Sequence, residues 1–121
     1  MATVIPTLTI SSTDSLSDVL SLSVTDTLTT QSPAEFARVS VLHTAPTVLQ
    51  AASAGTQYLY VKNIGTNSRA VDIQIADNSV FGSLAAGEFC FVPMKVDVGI
   101  ELIALGGTEV VEYGYWTKPG E

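Results

Sequence analysis

The chain of 121 residues has one cysteine, one histidine and one tryptophan, and only five basic side chains against twelve acidic ones. Each scarcity excludes something. Cys90 has no partner within the chain, so no intramolecular disulfide framework exists and the redox compartment stays open. His43 stands alone, and with one cysteine the chain offers neither a histidine pair nor a zinc-type cluster. A net charge of -7 and a pI near 4.4 argue against nucleic-acid binding, because neutralising phosphates needs clustered Lys and Arg. No apolar run reaches membrane-spanning length, so no membrane partner is expected. The segment Met1–Pro6 carries no basic n-region or apolar h-region, and a soluble protein made in a cytoplasm is the expectation. Charged residues amount to only 14%, well under the roughly 25% usual for soluble domains. Much of the surface must then be Ser, Thr, Gly, Asn and apolar atoms, which suits packing against other protein.

What remains is the material of one domain, with 46% apolar residues and enough length for a core without staples. Composition changes once. Residues 1–34 hold no basic side chain and are rich in Ser and Thr; from Glu35 onward the chain reads as ordinary globular sequence. Low complexity alone would suggest a disordered arm, but the periodicity does not. Leu20, Leu22, Val24 and Leu28 share one parity, with Ser21, Ser23, Thr25 and Thr27 on the other, which is the period of a half-buried strand. Asp26 falls on the apolar parity and marks a bulge or a strand end.

The alternation continues to the C-terminus. Val39 and Val41 share a parity before Pro46 closes their strand; Val71, Ile73 and Ile75 face one way, and Val98, Ile100, Leu102 and Ala104 form another inward row. Phe89–Val92 is a continuous apolar run, expected to be a strand covered on both faces. Gly106-Gly107 is expected to join Leu105 to Thr108 as a tight hairpin. In the last strand, Glu109–Thr117, Val111, Tyr113 and Tyr115 lie on one face and Val110 and Trp116 on the other. The best helical candidate, Ser32–Arg38, is better read as a turn leading into a strand. Eight or nine strands with turn signals about every ten residues describe an all-β antiparallel β-sandwich, jelly-roll-like or immunoglobulin-like. Residues 1–34 would form N-terminal strands or an arm, open to exchange with a neighbour, and residues 35–121 the sandwich core.

No chemistry emerges from the candidates. His43 with Cys90 is the one conceivable nucleophile and base, yet a lone cysteine between two phenylalanines behaves as a small buried hydrophobe. Glu101, Glu109 and Glu112 flank the glycine pair and might suggest glycosidase acids; as ordinary strand glutamates they are expected on the solvent side. The spacing of Asp14, Asp18 and Asp26 does not match a calcium loop, and Asp72, Asp77 and Asn78 are weak candidates for one. Ser83 lacks the flanking glycines of a nucleophile elbow. Gly65, Gly82, Gly87, Gly106 and Gly107 sit between β-patterned runs, where positive φ is often needed, and none opens a phosphate-binding loop. No catalytic, cofactor-binding or metal-binding residue is expected, and no cofactor. Tyr58, Tyr60, Tyr113, Tyr115 and Trp116 are either strand-interior aromatics or an exposed contact patch.

Three runs carry a resemblance: Tyr58–Asn67 (YLYVKNIGTN), Leu84–Pro93 (LAAGEFCFVP) and Gly107–Trp116 (GTEVVEYGYW). Their order of aromatic strand, Asn/Gly turn, Leu-x-x-Gly-Glu turn, buried strand and aromatic last strand resembles small β-sandwich virion proteins of tailed bacteriophages. These include head decoration (cement) proteins and neck or tail accessory proteins. The likeness covers about half the chain and names structural positions, so it carries no site residues. It implies a non-enzymatic protein located in the virion and assembled in the host cytoplasm, partnered by the major capsid protein or other virion proteins and by its own copies, with a homotrimer favoured. The other classes to weigh are a tail-fibre module binding carbohydrate or a host surface through Tyr and Trp, and an enzyme dependent on His43.

Overall fold

A computed structural model of the chain describes residues 2–14, 19–50, 57–66, 69–75, 79–94 and 99–118, with backbone alone at 20, 32, 33, 49 and 50. It is all-β, as the alternation requires, with antiparallel sheets packed against each other. Eleven strands are present among the described residues: β1 (Ala2–Val4), β2 (Thr7–Ser12), β3 (Leu20–Thr25), β4 (Leu28–Leu42), β5 (Thr47–Gln50), β6 (Gln57–Asn63), β7 (Val71–Ile75), β8 (Val80–Leu84), β9 (Phe89–Pro93), β10 (Ile100–Ala104) and β11 (Thr108–Thr117). One sheet has the order β1-β4-β11-β6-β9, a second β5-β10-β7-β8, and β2 pairs only with β3.

The core lies between the two larger sheets. Val41, Leu59, Val61 and Val111 from the first meet Val71, Ile73, Leu84, Ile100, Leu102 and Ala104 from the second. The strict alternation of burial along β6 and β10 shows why: every second residue enters the core and its neighbours face away. Val98, Asp77, Asn78, Asn67, Ser68 and Asp18 lie outside the described residues.

Four local expectations need correction. Gly106-Gly107 does not close a hairpin, because β10 and β11 belong to different sheets. The pair instead turns the chain from one layer to the other, with Gly107 at φ 64° and its carbonyl accepting from the His43 amide at 3.1 Å. Phe89–Val92 is not covered on both faces; β9 is an edge strand and Phe89 is 58% exposed. Its inner residues Cys90 and Val92 pack on the core while Phe89 and Phe91 share the opposite parity, so both parities are apolar for different reasons. Gly82 lies within β8, and among the described glycines only Gly87 and Gly107 take positive φ. The Ser32–Arg38 segment is neither helix nor turn but the middle of β4. There Trp116 pairs with Ala34 and Thr117 with Gln31, so Ser32 and Pro33 form a bulge. A proline cannot donate to a ladder and is tolerated where the register breaks. The compositional boundary at residue 34 therefore falls inside a continuous strand.

Candidate interaction surface

The inward parity of the five-stranded sheet leaves the opposite parity to build its outer face. Register places Phe36, Gly114, Tyr60 and Phe91 in one row across β4, β11, β6 and β9. The next row is Ala34, Trp116, Tyr58 and Pro93, and on the other side lie Arg38, Glu112, Lys62 and Phe89. Phe36 and Tyr60 stack with ring centroids 6.2 Å apart and planes 9° from parallel, and Tyr58 stacks on Phe91 at 6.1 Å and 12°. Gly114 makes the first stack possible: a Cβ there would meet Phe36 Cδ2 and Trp116 Cη2, each at 2.9 Å. Aromatic side chains lying over a strand glycine are a known device for closing the gap it leaves.

Polar groups hold this face in place. The Tyr60 hydroxyl donates to Glu112 Oε1 at 3.0 Å, and Arg38 Nη2 lies 3.5 Å from Glu112 Oε2. Burial, then the bond to Glu112 and its charge, raise the Tyr60 hydroxyl above the ordinary tyrosine range. Lys118 Nζ sits 4.9 Å from the Tyr58 ring centroid, a cation–π contact. Phe36 remains 60% exposed.

The five aromatics singled out from the sequence thus divide. Tyr58, Tyr60 and Trp116 belong to the outer face, joined by Phe36 and Phe91, which sequence reasoning missed although their parity in β4 and β9 assigns them there. Tyr113 and Tyr115 lie on the core side of β11 and both donate to Glu35, at 3.2 and 3.0 Å. Burial, then that bond, raises the Tyr113 hydroxyl as well.

A second unusual surface is the β2–β3 arm. Leu8 pairs with Val24 and Ile10 with Leu22, giving one apolar face; Thr7 with Thr25, Thr9 with Ser23 and Ser11 with Ser21 give a polar one. The expected alternation is there but its apolar face is only partly covered among the described residues: Leu8, Ile10, Leu22 and Val24 are 42–51% exposed. The linkers Ile5–Pro6 and Asp26–Thr27 lie side by side, fastened by the Asp26 amide donating to Pro6 O at 3.2 Å. Asp26 follows the end of β3 and accepts from the Thr27 amide at 2.8 Å. Asp14 bonds Ser12 within the arm.

The remaining candidates do not converge. His43 Nδ1 lies 3.0 Å from Gly107 O beyond the end of β4, while Cys90 is three strands away on β9. Burial pushes the Cys90 thiol up, with only a smaller opposing effect from the Val61 backbone. Ser83 is an exposed residue of β8 opposite Asp72. Glu101, on the other sheet, accepts from Gln74 at 2.9 Å, and Glu112 faces outward. Glu109 corrects the expectation of a solvent-side glutamate: it is 1% exposed and neither carboxylate oxygen has a hydrogen-bond partner. Its parity with Val111 was the available signal. The carboxylate packs against Gly65, where a side chain would collide with it. Among the described residues no three His, Cys, Asp or Glu side chains group as metal ligands, and no helix is long and apolar enough to cross a membrane. No protein-family model matches the chain, and no curated protein matches its sequence.

Proposed function

We propose that this chain is a non-enzymatic structural protein of a phage virion, a capsid decoration (cement) protein that binds the major capsid protein lattice, assembled as a homotrimer at local threefold positions. The observation that carries the reading is the β2–β3 arm. A two-stranded ribbon is marginal in water on its own, yet this one presents a row of four large aliphatic side chains to solvent. Such a face gains its third layer from another protein. Low charge, the phage-like order of strands and turns, and candidate catalytic side chains that do not converge support the same role; closed symmetry favours a small ring of copies. A neck or tail accessory position rests on the same arm and differs in copy number. The test is cosedimentation of purified protein with expanded capsids, with copies per particle counted by quantitative mass spectrometry. Hundreds of copies are expected; six to a few dozen would place the protein in the neck or tail, and no association would remove the virion reading.

One observation favours a second reading, a glycan-binding module. Trp116 borders an open cleft of about 530 Å³ that also touches β1 and Gln31. Glycan-array binding lost in Trp116→Ala would establish it.

A further inference from the structure

We propose that the apolar face of the β2–β3 arm docks on the outer aromatic face of the five-stranded sheet of a second copy of this chain. The inference rests on reading the arm as an assembly element and names its acceptor.

Supply and demand meet on this chain. The arm offers Leu8, Ile10, Leu22 and Val24, and the sheet offers a partly exposed face around Phe36, Tyr60 and Phe91. Their dimensions agree: six-residue strands run about 20 Å, and rows crossing four strands span about 14 Å.

Charge selects the pairing. Among the described residues the arm carries Asp14 near its tip and Asp26 at its root, and no basic group. The outer face carries Arg38, Lys62 and Lys118, three of the chain's five basic residues. Among the described residues its one acid, Glu112, pairs with Arg38 and accepts from Tyr60, which leaves Lys62 and Lys118 as the uncancelled positive charge of the face. An acidic, apolar arm therefore meets a basic, aromatic face. A second copy supplies both partners at equal stoichiometry.

The arm does not satisfy itself. β2 and β3 pack chiefly on each other, and their linkers are joined by the Asp26 amide bonding Pro6 O. Contact with the body is at the root, where Pro6, Leu8 and Val24 share a cleft of about 440 Å³ with Phe89 and Phe91. This cleft joins the arm's apolar strip to the outer face, so an incoming arm would extend a continuous apolar surface.

Sedimentation equilibrium of the full chain tests the proposal. Wild type is expected to form a discrete oligomer. Ile10→Asp/Leu22→Asp in the arm, and separately Phe36→Asp/Phe89→Asp at exposed positions of the face, are expected to weaken it about 100-fold or more. Thr9→Asp/Ser23→Asp, on the polar side of the arm, should leave assembly unchanged, and circular dichroism would verify folding of each variant. Mixing the arm-defective with the face-defective protein should restore a 1:1 complex, because one retains the face and the other the arm. A monomeric wild type, equal dissociation by the polar-side variant, or no complex on mixing would overturn the proposal. Capsid cosedimentation separates the two readings: a monomer that binds capsids leaves the cement role standing without self-docking, and an oligomer that ignores them does the reverse.

Discussion

Gly114 lies between Phe36 and Tyr60, and its missing side chain is what lets those rings stack across β11. Gly114→Ala should therefore cost about 1–3 kcal/mol, the usual penalty for forcing extra volume into a packed site. Denaturant unfolding measures the loss, and a changed near-ultraviolet circular dichroism spectrum would locate it at the aromatics. Glu109 is the opposite case, a carboxylate paying for burial with no hydrogen bond in return. Glu109→Met keeps much of the volume and removes the unpartnered oxygens, so the melting temperature is expected to rise; a fall would mean that the carboxyl group has a stabilising role. Tyr60 and Tyr113 have hydroxyls raised above the ordinary value by burial first and by Glu112 and Glu35 second. For a group whose pKa is raised by folding, the stabilisation is complete below the unfolded pKa, about 10 for tyrosine, and is lost as pH climbs through the higher folded value. Stability should thus begin to fall above about pH 10. Tyrosinate absorbance should rise later in the folded protein than in urea, and coincident titrations would refute the burial effect.

At the scale of elements, β2–β3 is the weak point and β6–β11 the strong one. The arm's ladder is backed by no covered face, so its amides should exchange with solvent quickly in monomer and become protected on assembly. Hydrogen exchange followed by mass spectrometry over 7–12 and 20–25 reads this directly; arm amides as protected as those of β6 in a monomer would contradict it. The Leu105–Gly107 corner is a different kind of element. Gly107 takes φ 64°, a region costly for branched side chains. Gly107→Val should lower stability by about 1–2 kcal/mol without altering the arm.

For the whole molecule, the five-stranded sheet and the separate β2–β3 arm differ in what they show outside. The five-stranded sheet turns aromatic rings and three cations outward, and the arm carries aliphatic side chains with aspartates. The assembly readings grow from that contrast. If the arm and face recognise each other partly through charge, raising salt should weaken association while leaving an apolar remainder, because screening acts on exposed charges and not on buried area.

The sequence by itself determined most of the strands after residue 19 and the parity along them, because a strand's two-residue period is local and steric, but it missed the strand character of 32–38. Val71, Ile73, Ile100 and Leu102 were legible as core, and Val111 and Trp116 as opposite faces of one strand. Only the tertiary structure decided which sheet each strand joined and which faces were covered. Gly106-Gly107 has the same backbone freedom in a hairpin as in a turn between layers, so its chemistry cannot say which partner β11 will find. Glu109 follows its parity into the interior although its chemistry argues for solvent. Phe89 and Leu22 are as apolar as the core residues, yet Phe89 lies on the outward parity of β9 and Leu22 on an arm face that the described residues cover only in part. Whether an apolar face is covered depends on contacts far apart in the chain, which no local pattern specifies.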